Sequence, residues 1–167
     1  MLIALENLAF TVLALQLAVI AVIDARTFII PDRCNILLAL SGLLFQGALG
    51  SFDPVWTGIG VLVFAGCFAG VRAAHFHISG RIGLGMGDVK LAAAAACWIG
   101  LDSFPTFLAA SSLAALAFAL IRRWSLVATG APDDKIPFGP FLASGLMLAW
   151  ICQVNSIPLI VLESVQA

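Results

Sequence analysis

The chain has 167 residues, of which 62% are hydrophobic and only 10% charged. Soluble domains carry about 25% charged residues, and a fold of this size cannot hide so much apolar surface from water. A mean hydropathy of +1.12 therefore points to lipid as the solvent, and a net charge of -1 offers no basic footprint for nucleic acid.

In chain order, the sequence opens MLIALENLAFTVLALQLAVIAVID. No Lys or Arg precedes the apolar run, and it is longer than the core of a secretory leader, so it is expected to be a retained first span, Leu2–Ile23. Since about 20 apolar residues cross the hydrocarbon, further spans are expected at Cys34–Gly50, Val55–Val71, Asp88–Leu101, Phe104–Ile121 and Phe138–Val161. Lipid-exposed barrel strands are shorter and alternate, which these runs do not. The expected fold class is all-α, a polytopic membrane bundle of about six transmembrane helices, with residues 1–167 forming a single domain.

The charges orient that bundle. Arg26 and Arg33 follow the first span, Arg72, Arg81 and Lys90 flank the connection from third to fourth, and Arg122, Arg123 and Lys135 follow the fifth. Basic residues mark cytoplasmic loops, so these three loops face the cytoplasm and both termini lie outside.

The fourth span is short, and Ser79-Gly-Arg-Ile-Gly-Leu-Gly-Met-Gly87 precedes it. Glycines at 80, 83, 85 and 87 disfavour a helix. Irregular backbone at membrane depth is tolerated only inside protein or beside a wet cavity. A dinucleotide loop would need a preceding strand and a soluble βαβ unit, and neither is expected here.

Cys34, Cys67, Cys97 and Cys152 stand singly, with no CxxC, and read as small hydrophobes. His75 and His77 are two apart, a spacing that does not share a helix face, and no third ligand accompanies them. No metal site is expected. Glu6, Asp53, Asp102, Asp133 and Asp134 read as interfacial or solvated carboxylates.

Asp24 and Asp88 differ. The first ends span one after Ala-Val-Ile, and the second opens span four after the glycines. Both fall at the cytoplasmic boundary, so the two carboxyls can meet at similar depth. Two adjacent carboxyls do not readily both ionise. One then activates water as a base while the other protonates the leaving group, which is aspartic proteolysis and requires no metal or cofactor. Each acid also has a plainer reading, Asp88 as a helix cap and Asp24 as the point where a span meets water. The helix ends add an expectation. Asp24 lies near the negative end of one span and Asp88 near the positive end of another, which assigns Asp24 as the acid and Asp88 as the base.

Pro31, in Ile30-Pro31-Asp32, and Pro137, in Ile136-Pro137-Phe138, each precede a span and suit a helix start. Lys90, two residues past Asp88, either orients that acid or snorkels to the interface. Broken helices and intramembrane acids also mark transporters and channels. On residues alone, a protease and a small transporter or channel component stand level, with a structural subunit of a secretion machine third. A transporter would carry its acids near the midplane and often show a repeat, and this chain shows neither.

Three segments bring a resemblance. Asp24-Ala-Arg-Thr-Phe-Ile-Ile-Pro31-Asp32 resembles the first aspartate motif of type IV prepilin peptidases. Gly85-Met-Gly87-Asp88-Val-Lys90 resembles the second, the GxGD motif shared with other intramembrane aspartic proteases. Ile136-Pro-Phe-Gly-Pro140-Phe-Leu-Ala143 resembles a further segment near the last span. The resemblance implies an aspartic endopeptidase that removes the basic cytoplasmic leader of prepilin-like precursors, after a glycine. It makes Asp24 and Asp88 the catalytic acids, with Gly85 and Gly87 shaping the loop. Lys90, Pro31 and Pro137 would shape loops or bind substrate. It implies no cofactor, and as partners a pilin-like precursor, the lipid bilayer and the pilus assembly machinery. The place would be the bacterial inner membrane, with the active site facing the cytoplasm. Longer members of that family carry an extra domain with paired cysteines and N-methylate the new terminus. This chain resembles the short, peptidase-only form found with tight-adherence pili, so methyl transfer is not implied.

Overall fold

A computed structural model describes residues 2–80, 83–129 and 136–155. Among the described residues there are six helices and no strands. They are α1 (Leu2–Thr27), α2 (Asp32–Ala48), α3 (Pro54–Ser79), α4 (Met86–Ile99), α5 (Phe104–Thr129) and α6 (Gly139–Val154). The chain is an all-α membrane helix bundle. Three helices are long and apolar enough to cross a bilayer, at Ile3–Thr27, Pro54–Ser79 and Phe104–Arg123.

Local chemistry sets the helix ends. Asp53 caps α3, its Oδ1 accepting from the Val55 and Trp56 amides at 2.9 and 3.0 Å, and Pro54 follows where its missing N–H costs nothing. Gly80 closes α3 in the left-handed conformation, φ 66°. At 26 residues α3 is about 39 Å long, more than the roughly 30 Å of hydrocarbon. The expected third span stopped at Val71, where the basic and histidine residues begin. The helix runs on to Ser79 because those polar side chains need only reach the interface, not end the backbone ladder. The same holds for α5, which continues past Arg122 and Arg123 to Thr129. The last part of the expected sixth span, from residue 156 to Val161, lies outside the described residues, as do Arg81, Asp133, Asp134 and Lys135.

The core forms around α4. From Val89 to Ile99 nearly all its side chains are buried, and it packs against α2, α3 and α6. Its run Ala92–Ala96 keeps side chains small, so neighbouring backbones come close. Gly42 of α2 is one such contact: a Cβ there would stand 2.6 Å from the Cys97 carbonyl oxygen. Trp98 donates its indole N–H to the Leu38 carbonyl at 2.8 Å and stacks on Phe45. The helix α6 packs against α1, α4 and α5. Outward-facing leucines such as Leu15, Leu44, Leu62 and Leu113 remain well exposed. That is the surface a bilayer solvates rather than water.

Candidate active site

The site is made by three helix ends that meet. Asp24 lies on the last turn of α1, only 5% exposed. Its Oδ2 accepts the Gly139 N–H at 2.8 Å. Gly139 is the first residue of α6, so the carboxylate sits at a helix N-terminus, where backbone donors and the helix dipole favour negative charge. The fit admits no side chain. A Cβ on Gly139 would fall 2.8 Å from both Cβ and Oδ2 of Asp24.

Asp88 is the third residue of α4 and is 7% exposed. Its Oδ2 accepts the N–H of Gly85, the residue that caps the helix, at 3.0 Å. This is the carboxylate half of a capping box. A Cβ on Gly85 would stand 3.0 Å from that same oxygen. The charge of Asp24 is felt at the Asp88 carboxyl, so the end of α1 and the start of α4 share one electrostatic site. Because α6 packs on both α1 and α4, it is the element that joins them.

A turn seats the glycine loop. After α1, Phe28 takes the left-handed conformation, φ 55°, and donates its N–H to the Asp24 carbonyl at 2.8 Å. A non-glycine residue in that region costs energy and persists only where the surroundings hold it. The turn brings Ile30 inward, 5% exposed, against Gly87, where a Cβ would meet the Ile30 Cβ at 3.0 Å. Pro31 follows as the N-cap of α2, and Asn35 donates to the Gly87 carbonyl at 3.5 Å. On the other side Arg72 donates to the Leu84 carbonyl, and Gly83 lies against the His75 ring.

The sequence-derived residues are thus sorted. Asp24, Asp88, Gly85, Gly87 and Pro31 come together. Pro137 lies two residues before Gly139, half-buried on the approach to α6. Lys90 turns away from Asp88 to Asp32, its Nζ 2.7 and 2.8 Å from the two carboxylate oxygens, with both side chains about half exposed. The asymmetry expected from the span ends is also corrected. Asp24 does end α1, but its carboxylate receives the N-terminus of α6, so both acids are held by the donor end of a helix. Two participants were missed by sequence reasoning. Gly139 was inside a motif already noted, Ile136-Pro-Phe-Gly-Pro140, whose proline repeat drew the attention. Asn35 gave no signal at all. Asp53 caps α3 at the opposite end of the bundle, and among the described residues no three His, Cys, Asp or Glu side chains gather as metal ligands would.

A sequence profile of the type IV leader peptidase family matches residues 11–120, a stretch that includes both acids. A prepilin leader peptidase/N-methyltransferase of Escherichia coli K12 is 34% identical over 137 residues, covering 79% of this chain and 60% of that protein. One from Dickeya chrysanthemi is 35% identical over 135 residues, covering 77% of this chain and 45% of that protein. The leader peptidase HopD of Escherichia coli is 33% identical over 152 residues, covering 86% of this chain and 94% of HopD. The chain therefore spans about half the length of the first two relatives and nearly all of the third. No solved structure matches it.

Proposed function

The chain belongs to the type IV leader peptidase family, and from that premise we propose that it is an aspartic endopeptidase that removes the leader from type IV prepilin-like precursors. Asp24 and Asp88 are its catalytic pair. The observation that carries the reading is their common setting: two buried carboxyls at helix ends joined by α6, each held at one oxygen by a glycine N–H. Each keeps its other oxygen for chemistry.

In the reaction, the ionised acid takes a proton from water as the water oxygen bonds to the scissile carbonyl carbon. The protonated acid gives its proton to the carbonyl oxygen, leaving a neutral tetrahedral diol. The C–N bond then breaks. The amine receives the proton first taken from water, and a diol proton returns to the second acid. The leader leaves with a new carboxyl terminus and the precursor with a new amino terminus. Both carboxylates meet a helix N-terminus, so neither residue is assigned alone as acid or base.

The active site faces the cytoplasm, since it is built at the helix ends that carry Arg26, Arg33, Arg72 and Lys90, and basic loops stay inside. The protein works in the bacterial inner membrane, as one membrane unit with the bilayer and the pilus assembly machinery around it. Cleavage after a glycine follows from the family resemblance.

Co-expressing a prepilin-like precursor with the wild type, Asp24→Ala or Asp88→Ala, at matched membrane levels, tests this by gel mobility. The wild type shortens the precursor, and each variant slows the reaction by about 10²–10⁴-fold or more. A variant that cuts at a near-normal rate removes that residue from the mechanism. A wild type that cuts no prepilin removes the activity.

A further inference from the structure

Asn35 closes the first turn of α2, and only 5% of it is exposed. Its Nδ2 donates to the carbonyl of Gly87, the residue before Asp88. The flipped form would set two acceptor oxygens against each other, so the amide is assigned with Nδ2 toward Gly87. Oδ1 then has no partner, although it is buried. Buried polar atoms are normally paired, so an unpaired acceptor beside a catalytic acid points to a donor that arrives later.

The surroundings say what kind of donor. Asn35 lines a groove of about 370 Å³ between α2 and α3, with α4 as its floor. Both walls pack on α4, which holds the groove open between them. Ile36, Val61, Ala93, Ala94 and Cys97 make its surface apolar, and the Asp32–Lys90 pair stands beside Asn35 at the end nearest Asp88. An apolar groove with a buried acceptor behind its catalytic end fits a polypeptide that parts the wall as it enters, since Oδ1 itself has almost no open surface in the free protein. The side chains enter the groove while a main-chain N–H meets the acceptor, as in other main-chain recognition.

We infer that Asn35 Oδ1 accepts a backbone N–H of the bound precursor next to the scissile bond, and that the α2–α3 groove takes the apolar residues adjoining that bond. The inference rests on the leader peptidase reading. It makes Asn35 a substrate-binding residue, with the carbonyl of Gly87 tying it to the loop that presents Asp88.

The test uses the purified full chain and a synthetic prepilin peptide spanning the cleavage site, with the backbone nitrogen methylated at one flanking position at a time. Asn35→Leu keeps the branched shape and removes the acceptor, together with the donor to the Gly87 carbonyl. On the unmodified peptide it should raise KM about tenfold, or about 1.4 kcal/mol; kcat falls too, because the bond to the Asp88 loop is also lost, and the methylated peptides separate the two effects. One methylated position should cost the wild type a similar factor and cost Asn35→Leu nothing further. Ala93→Phe, which fills the groove from its floor, should likewise raise KM but spare kcat. A merely structural Asn35 would lower kcat and thermal stability together and leave the methylation pattern intact. If Asn35→Leu remains sensitive at every position where the wild type is, or Ala93→Phe binds normally, the inference is overturned while the peptidase reading stands. If the wild type leaves the unmodified prepilin peptide whole, the peptidase reading falls, and the inference falls with it.

Discussion

Replacing Gly139 by alanine tests whether the α6 N-terminus truly holds the first catalytic acid. The added Cβ would lie 2.8 Å from Cβ and Oδ2 of Asp24, while ordinary contact begins at 3.4 Å, so something must move by 3.4 − 2.8 = 0.6 Å or more. The obstacle is not the far end of a flexible side chain. The Asp24 Cβ is one bond from the backbone of α1, which is itself packed on α6. The two helices must part, or the carboxylate must rotate off the Gly139 N–H. Losing a hydrogen bond to a charged group costs about 1.5–3 kcal/mol, and misplacing a reacting group by about 1 Å can cost about 10²-fold in rate. Gly139→Ala is therefore expected to insert and fold but to cleave prepilin about 10²-fold more slowly, at matched membrane levels. Gly66→Ala is the control. That glycine is also in a helix, but its Cβ would meet nothing within 4 Å, so the rate should stay at the wild-type value and stability should not fall. A Gly139→Ala protein that cuts within twofold of wild type would refute the proposed hold on Asp24.

Other substitutions probe the neighbouring contacts. Gly87→Ala sets a Cβ 3.0 Å from the Ile30 Cβ; it should slow cleavage, and the double variant Gly87→Ala/Ile30→Gly, which removes the opposing Cβ, should recover part of the rate, since the two sites couple directly. Lys90→Ala removes an ion pair that is half exposed and worth about 0.2–1 kcal/mol. Thermal stability should change little, and the pH optimum of cleavage should not move, because Lys90 sits on Asp32 rather than on the catalytic acid; a shifted optimum would restore Lys90 as a tuner of Asp88. Gly42→Ala presses on the Cys97 backbone at 2.6 Å and should destabilise the α2–α4 contact by about 1–3 kcal/mol, read as a lower unfolding midpoint with the active site untouched.

Much of this molecule could be read from its sequence, and what could not has a common cause. The six helices follow from runs of apolar residues, because lipid demands that each segment satisfy its own backbone. Their ends were harder wherever polar side chains continued a helix, as in α3 beyond Val71 and α5 beyond Ile121. Asp24 and Asp88 were visible because a carboxylate beside an apolar run is costly and rare. The partner of Lys90 could not be read for the opposite reason: spacing along one helix says nothing of Asp32 on another. Asn35 and Gly139 act across 52 and 115 positions of the chain, so their partners are set by packing, which periodicity does not encode.

The role of α6 shows why the acids alone do not make the site. The α1 end supplies a carboxylate but also a negative helix terminus, an unfavourable place for a second charge to gather. Docking α6 with its donor end on Asp24 offsets that terminus, and α4 offers its own donor end to Asp88. The one negative charge that the pair shares can then rest in a buried site, because either acid faces fixed N–H dipoles rather than hydrocarbon. Both donors come from glycines, and both glycines are pressed against the carboxylate they hold. At these two positions the carboxylate lies where a Cβ would stand, so the place suits glycine. The glycines of Gly85-Met-Gly87-Asp88 and of Pro137-Phe-Gly139-Pro140 thus act in the same way at Gly85 and Gly139, each bringing a helix's first N–H groups onto one acid of the pair.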